Sequence, residues 1–316
     1  RVCQNRPSSI YLVFFPFPFV SLALCLLPPP SHPMASPAAA EAFNRIRNQW
    51  NAMSKYFREN VESSTLALTN QLVSMAKCYR ADGVLELGAG CGGAAAARAL
   101  LMKEGARHVV SDLSEKMVDH CKEVSASLPA GRQFEAMVLN AEDTGLEAES
   151  FNAIIANLVI QITPSADAMM KECARLLKKD GRLAVSFWGE KAKSPMFTLV
   201  PQSVKELGVN LAERGVPPPP KDNFELGQDL EGVKKRFLAA GFSKVFIYHS
   251  PMNLDVVSAE EFAKGQLEAP MAQKMLSVLS EEEKVQLEKI IAKNAASYLD
   301  NDKLIGLDAV IALAIK

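Results

Sequence analysis

The chain has 316 residues, of which 48% are hydrophobic and 22% charged, so it can bury a substantial core. Its formal net charge of −1 gives the chain as a whole no attraction for polyanions, and we expect no nucleic-acid partner. The six cysteines are scattered, without a Cys-x-x-Cys pair or a cysteine–histidine cluster. The sequence therefore predicts no metal site and no disulfide framework, and a reducing compartment is expected.

Residues 1–33 form a leader that differs in composition from the rest of the chain. Residues 10–27 are almost continuously apolar, and Arg1 and Arg6 precede them, as in a signal peptide or a short membrane anchor. Alternatively, the leader is upstream sequence before an ordinary start at Met34, and we favour this interpretation. The predicted location is then cytoplasmic. A membrane-anchored or organelle-targeted protein is the alternative, and it requires that the apolar segment be retained.

The segment 34–80 has a helical pattern and is predicted to form an N-terminal helical lid. Its apolar residues recur at steps of three and four: Phe43, Ile46, Trp50, Met53, Tyr56 and Phe57, then Leu66, Leu68, Leu72, Val73 and Met75. Trp50, Tyr56 and Phe57 would form an aromatic face on the first helix.

From residue 81 onward, short apolar strands alternate with amphipathic helices. Strands are predicted at 83–88, 108–112, 133–139, 151–158 and 182–188, with helices at 92–104, 115–127 and 165–179 between them. The third helix is predicted to end where Lys178 and Lys179 meet its carboxyl end and Gly181 stops it. This alternation predicts an α/β fold, in which a Rossmann-like, mostly parallel sheet of about seven strands has helices on both faces.

Beyond Trp188 the alternation is interrupted. Helices are predicted at 194–212, 230–240 and between 259 and 298, and strands at 243–248 and 304–314. The segments 194–228 and 259–300 are read as insertions that form a helical cap over the carboxyl edge of the sheet. Because they are rich in Leu, Met, Val and Phe, they favour a covered, largely apolar pocket for a small or lipid-like molecule.

The sequence Glu86-Leu-Gly-Ala-Gly-Cys-Gly92 passes from an apolar strand through glycines into an alanine-rich helix. Gly88 and Gly90 permit a tight turn and a close approach of the backbone to a ligand, towards which the helix amides point. Asp112 ends the second strand at the spacing expected of a carboxylate that binds ribose hydroxyls. These features fit a nicotinamide dinucleotide as well as S-adenosylmethionine.

Glu86 distinguishes the two cofactors in this reasoning. An acid two residues before the first glycine is unfavourable beside a pyrophosphate, but it suits the ammonium and sulfonium charges of S-adenosylmethionine. The glycine turn also contains no Lys or Arg for a phosphate. The sequence therefore favours S-adenosylmethionine as the cofactor.

With these motifs, the chain resembles the class I S-adenosylmethionine-dependent methyltransferase superfamily, and within it the ubiquinone/menaquinone C-methyltransferase-like group (methyltransferase type 11). The resemblance runs from about Trp50 to the C-terminus. It rests on the glycine turn and on the segments 110–117, 139–142, 150–154, 173–183 and 186–189. It implies that residues 81–316 form a methyltransferase domain, and it assigns a cofactor role to Tyr56, Glu86, Gly88, Ala89, Gly90, Asp112, Leu113, Met117, Asn140, Ala141, Glu142, Asn157 and Leu158.

By the resemblance, Glu86 and the glycines surround the amino-acid part of the donor, and Asp112 holds its ribose. Leu113, Met117 and residues 140–142 would lie around the adenine, residues 157–158 would line the methyl-transfer side, and Tyr56 would belong to the lid. Asn140 and Asn152 stand where the family usually has Asp. The resemblance implies that the change at Asn140 weakens adenine binding and that Asn152 is structural.

The implied function is an enzyme that transfers a methyl group by in-line displacement to a small-molecule or lipid-like acceptor. A general base is needed only if the acceptor loses a proton, and His249, after the sixth strand, is the candidate, with a surface role as its alternative. The acceptor atom can be O, N or C. The competing hypotheses are an NAD(P)-dependent oxidoreductase and a non-catalytic protein that keeps the donor pocket.

Overall fold

The computed structural model describes residues 37–218, 221–256 and 258–316. The apolar segment 10–27 and its two interpretations therefore lie outside the described residues. Residues Pro37–Lys316 form one compact unit.

A seven-stranded sheet organises this unit, in the order β3-β2-β1-β4-β5-β9-β6. Its strands are β1 (Gly83–Leu87), β2 (Arg107–Asp112), β3 (Glu135–Val138), β4 (Phe151–Asn157), β5 (Leu177–Trp188), β6 (Lys244–His249) and β9 (Ala309–Ile315). Strands β1 to β5 are parallel, while β9 runs antiparallel to both of its neighbours, β5 and β6. The predicted mostly parallel α/β sheet is thus confirmed. Two further short strands, β7 (Met252–Asn253) and β8 (Gly306–Leu307), pair separately.

Helices cover both faces of the sheet. They are α1 (Pro37–Asn60), α2 (Glu62–Met75), α3 (Gly93–Leu101), α4 (Glu115–Ser127), α5 (Ala166–Leu176), α6 (Pro195–Glu206), α7 (Glu225–Gln228), α8 (Leu230–Ala239), α9 (Ala259–Glu268), α10 (Gln273–Leu276) and α11 (Glu281–Leu299). Local capping fixes several of their starts. The Ser114 and Ser165 side chains accept from the third backbone amide of α4 and α5, and Ser280 forms a capping box with Glu283.

The predicted end of the helix before β5 is wrong. The helix ends at Leu176, and the chain then runs extended, with Leu177 fully buried and paired with Phe151 of β4. Gly181 serves a tight bend rather than a helix cap, because a Cβ there would lie 2.7 Å from the Lys178 carbonyl oxygen. Burial of Leu177 in the core thus overrides the local signal of the two lysines.

Two other predicted boundaries also change. The helix predicted at 194–212 ends at Glu206, where Gly208 follows with φ +78°. The strand predicted at 304–314 divides into β8 and β9, and only β9 joins the large sheet.

The core lies on both faces of the sheet. In β4, Ile154 and Ala156 belong to the apolar cluster on one face, and Ala153 and Ile155 to the cluster on the other. A third cluster joins α6 to α9 and α11, which is the apolar core of the predicted cap. Within the described part of the chain, no helix is both long enough and apolar enough to cross a membrane.

Candidate active site

A cavity of about 1350 Å³, including its mouth, opens over the carboxyl ends of the parallel strands. Of the residues predicted to bind the cofactor, the cavity brings together Glu86, Gly88, Ala89, Gly90, Asp112, Leu113, Met117, Asn140, Ala141, Asn157 and Leu158. Tyr56, Glu142 and His249 are not among its lining residues. Parallel strands end at one edge of the sheet, which explains why residues so distant in sequence meet there.

The glycine turn lies beneath two apolar side chains. Gly88 and Gly90 have φ +66° and +60°. A Cβ at Gly88 would lie 2.2 Å from Cγ2 of Val159, and one at Gly90 would lie 2.8 Å from Cε1 of Phe57 in α1. Both positions therefore require glycine for backbone conformation and for space.

Asp112 is held at the cavity wall by backbone amides. Its Oδ2 accepts from the Gly90 N–H at 3.1 Å and its Oδ1 from the Ser114 N–H at 2.9 Å. Burial raises the pKa of Asp112 to about 6, although these two hydrogen bonds favour the ionised form. Each carboxylate oxygen retains a lone pair, so the side chain can still accept two hydroxyl groups.

Glu86 forms a buried ion pair with Arg98 of α3, and the two residues are 3% and 2% exposed. The Arg98 Nε–H also donates to Nε2 of His108 at 3.2 Å. Burial and the adjacent guanidinium lower the pKa of His108 to about 2, so that histidine is neutral. Glu86 is therefore not a free negative charge, as its position in the sequence suggested, because Arg98 balances it.

Glu62, the first residue of α2, is a cavity-lining acid that sequence reasoning missed. Its Oε1 accepts from the Gly93 N–H at 3.0 Å, at the first residue of α3. Burial raises the pKa of Glu62, more than its contacts with backbone amides lower it. This amide, which was expected to point at a ligand, is therefore already bonded to a carboxylate of α2.

Of the residues predicted at the adenine, Asn140 and Ala141 line the cavity. The Asn140 Oδ1 accepts from the Glu142 N–H at 3.0 Å, which fixes the loop after β3. The Glu142 carboxylate instead accepts from the Ser165 N–H at 2.6 Å, at the start of α5. Glu142 is not among the cavity-lining residues, so its place at the adenine edge stays a prediction.

Asn157 ties the lid to the sheet at the end of β4. Its Nδ2 donates to Thr69 Oγ1 of α2 at 2.8 Å, and its Oδ1 accepts from the Ser186 hydroxyl at 2.5 Å. The next residue, Leu158, has φ +57°, and its N–H is held by Ser186 at 2.9 Å. Such backbone strain persists only where surrounding contacts enforce it. Asn152 is structural, as expected, because its Oδ1 accepts from the Gly83 N–H.

The lid contributes a different aromatic side chain from the one selected by sequence. The Tyr56 hydroxyl donates to the Gly265 carbonyl of α9 at 3.3 Å, and Tyr56 is not among the cavity-lining residues, so its cofactor role stays a prediction. Trp50 and Phe57, seven residues apart and on one face of α1, line the cavity instead.

His249 lies at the same edge of the sheet but outside the cavity. Its Nδ1 is 3.0 Å from both carboxylate oxygens of Asp308. Glu190 completes a group whose ligand atoms lie within 4.8 Å of one another, although Lys193 already pairs with Glu190 at 2.7 Å. The candidate base is therefore not placed beside the proposed site of transfer.

The remaining wall of the cavity is apolar. The Trp188 ring stacks on Phe197 of α6 with centroids 4.0 Å apart. Other apolar residues that line the cavity are Phe43, Ile46, Val61, Leu66, Ile162, Met196, Met252 and Leu307. Among the described residues, the charged side chains that line the cavity are all acids, namely Glu62, Glu86 and Asp112.

Comparison with known proteins agrees with this geometry. Residues 87–185 match the family model described as a methyltransferase domain. A methyltransferase of Aspergillus fumigatus, tpcH, is 33% identical over 86 residues, which are 27% of this chain and 30% of that protein. A polyketide synthase-nonribosomal peptide synthetase of Aspergillus clavatus is 34% identical over 108 residues, 33% of this chain but 3% of that protein. The chain thus spans less than a third of either relative.

Among solved structures, a putative methyltransferase of Haloferax volcanii, in complex with a methyltransferase activator, has the same fold. The TM-score is 0.51 at 13% identity, with 84% of this chain and 96% of that chain covered. The match to the methyltransferase-domain model covers residues 87–185, and this segment includes the two glycines of the turn and Asp112 at the carboxyl edge of the sheet.

Proposed function

We propose that the protein binds S-adenosylmethionine over the glycine turn and transfers its methyl group to a small, apolar acceptor. The observation that carries this proposal is the chemistry of the cavity. Its donor half combines two positive-φ glycines with Asp112, and its charged lining residues, among those described, are all acids. A cationic sulfonium donor suits such a cavity.

The same observation argues against a nicotinamide dinucleotide. In dinucleotide-binding folds the pyrophosphate accepts hydrogen bonds from the amides at the start of the helix that follows the glycine turn. Here the Glu62 carboxylate occupies the Gly93 amide at that position. A pyrophosphate would have to displace this carboxylate and would remain beside further acids. The acidic charge at the turn therefore still favours S-adenosylmethionine, but the acid that carries it is Glu62 rather than Glu86.

The acceptor half supports an acceptor without a negative charge. Trp188, Phe197 and Met196 provide apolar walls, and among the described lining residues no lysine, arginine or histidine is present to bind an anion. The first curated relatives, a methyltransferase and a polyketide–peptide synthase, are consistent with a small organic acceptor. The narrower likeness to ubiquinone/menaquinone C-methyltransferases stays a prediction.

In the transfer step, a lone pair or an electron-rich carbon of the acceptor forms a bond to the methyl carbon as the carbon–sulfur bond breaks. The sulfur keeps the bonding electrons, which leaves S-adenosylhomocysteine. Orientation of the two reactants can contribute roughly 7–11 kcal/mol to such a step. With His249 outside the cavity, we propose that the acceptor enters in its reactive form, or loses its proton to water rather than to histidine.

Calorimetric titration with S-adenosylhomocysteine and with NADH tests the cofactor. Binding of the first without the second is expected, and the reverse result would refute the proposal. Incubation with methyl-labelled donor and extracted metabolites then tests transfer, with the Asp112→Ala variant as the binding-deficient control. Donor binding without labelled product from any acceptor would instead indicate a non-catalytic protein. A cytoplasmic location stays a prediction, to be examined by fractionation.

A further inference from the structure

The carboxylate of Glu62 lies across the start of α3. Its Oε1 accepts the Gly93 N–H at 3.0 Å, and a Cβ added to Gly93 would lie 3.0 Å from Oε2. The side chain therefore spans from the lid to the glycine turn and lines the cavity there. Each oxygen can still accept a further hydrogen bond.

Of the three acids that line the cavity, Glu86 forms a salt bridge, whereas Glu62 and Asp112 are held by backbone amides. Glu86 is paired with Arg98, and Asp112 is held by two backbone amides. Within the described ranges, Glu62 forms no salt bridge, and the nearby Arg58 pairs with Glu123 at 3.0 Å instead. Burial raises the pKa of Glu62 more than the Gly93 amide and the nearby Arg58 charge lower it.

We propose that Glu62 binds the ammonium group of the donor's amino-acid part, a role that the resemblance gives to Glu86. This inference rests on the proposed function. An ammonium group offers three N–H donors and a positive charge, which is what a partly buried carboxylate with free lone pairs needs. The charge of Glu86 is already balanced by its buried ion pair with Arg98, so an ammonium group gains less from Glu86 than from Glu62.

The position of Glu62 in the lid gives this contact a second consequence. Seven residues further along α2, Thr69 accepts the hydrogen bond from Asn157 on the methyl-transfer side. One helix therefore contacts the amino-acid end of the donor and the strand end beside its methyl group. Binding of the ammonium group strengthens the docking of α2 and so orders the wall next to the acceptor.

The test compares two ligands on three proteins. The ligands are S-adenosylhomocysteine and an analogue that lacks only the α-amino group. The proteins are the wild type, Glu62→Gln and Glu59→Gln. The glutamine at 62 keeps a carbonyl oxygen for the Gly93 amide, so the start of α3 remains capped. Glu59 is exposed and three residues earlier, so its variant controls for the loss of one charge in the lid.

In the wild type and in Glu59→Gln, removal of the amino group is expected to weaken binding at least tenfold. In Glu62→Gln the two ligands should bind within twofold of each other, because the partner of the amino group is gone. A thermal melt checks the fold of each variant, and Glu62→Asp, which keeps the charge, should retain part of the preference.

Two results would overturn the inference. One is a wild type that binds both ligands equally well, and the other is a Glu62→Gln variant that keeps the full preference for the amino group. If the wild type binds neither ligand, the proposed function itself fails, and this result is distinct from equal binding of both.

Discussion

Donor binding should weaken as the pH falls through 6, because Asp112 is proposed to accept hydrogen bonds from the ribose hydroxyls. Burial raises the pKa of this carboxyl group to about 6 in the free protein. Its ionised form accepts these bonds, so a bound ribose lowers the pKa and binding competes with a proton. At pH 5 about nine in ten molecules carry that proton, so affinity should be about tenfold lower than at pH 7.5, roughly 1.4 kcal/mol.

Calorimetry with S-adenosylhomocysteine between pH 5 and 7.5 measures this dependence. Affinity should be flat above about pH 7 and fall towards pH 5. In Asp112→Ala, affinity should be at least tenfold lower at pH 7.5, and its decline in acid should be lost. Glu62 also has a raised pKa, so the Glu62→Gln variant is the matched control and should keep most of the decline.

Without ligand, the pH dependence of stability has the opposite sign. The native protein holds the proton on Asp112 more tightly than the unfolded chain, whose carboxyl titrates near 3.8. This residue's contribution to the free energy of unfolding should therefore be greatest below about pH 4 and be lost as the pH rises through about 6. A flat binding profile in the wild type, or an acid decline that persists unchanged in Asp112→Ala, would refute the assignment of the ribose to Asp112.

Three further variants test other parts of the site. Glu86→Gln should lower the free energy of unfolding, measured by urea denaturation, by about 3–5 kcal/mol, because it leaves the buried Arg98 charge without a partner. The double variant with Arg98→Met should lose less stability, and an equal loss would argue against the ion pair. Gly88→Ala places a Cβ 2.2 Å from Val159 and should abolish donor binding by calorimetry, with Val159→Ala restoring part; undiminished binding contradicts this. Trp188→Ala should reduce the yield of labelled product while donor affinity stays within twofold of the wild type. A loss of donor affinity as large as the loss of product would instead assign Trp188 to the donor half.

The sequence was sufficient for the parts of the site that depend on local pattern and on the parallel sheet. The glycine turn and Asp112 lie at the carboxyl ends of their strands. Parallel strands have their carboxyl ends at the same edge of the sheet, so these residues meet there. Asn140, Asn157 and Leu158 reach the cavity for the same reason. Their backbone placement could therefore be predicted, although the roles of their side chains could not.

Apart from the element boundaries described above, the predictions that the structure does not support concern where a side chain points. Tyr56 and Phe57 are neighbours in sequence, but they differ by about 100° around the helix axis, so only one can face the cavity. Glu142 turns to the start of α5, a contact decided by how two loops pack. Arg98, the partner of Glu86, is the charged residue of an otherwise apolar helix. No pattern in the neighbouring residues indicates that its side chain points into the core.

Glu62 shows why the lid could not be assigned from sequence. Its only local signal is its position at the start of a helix. Acids are common there because the helix dipole stabilises negative charge, whether or not they bind a ligand. Its contact with Gly93 depends on how α2 packs against α3, and no short-range pattern encodes that angle. The acid that distinguishes between cofactors is therefore more than twenty residues before the turn on which it acts.

The lid also changes what donor affinity measures in this protein. The Ser114 hydroxyl, two residues after Asp112, donates to Asn51 of α1 at 2.6 Å, and Glu62 and Thr69 hold the glycine turn and Asn157 from α2. The donor half is therefore built from two layers that must both be docked. If the lid must dock for the donor to bind, the free energy of docking lowers the apparent affinity for the donor. By the same linkage, a bound donor stabilises the docked lid. The affinity of a lid variant for the donor therefore reflects both the docking of the lid and the direct contact between the altered side chain and the donor. Comparing two ligands on the same variant separates these two effects.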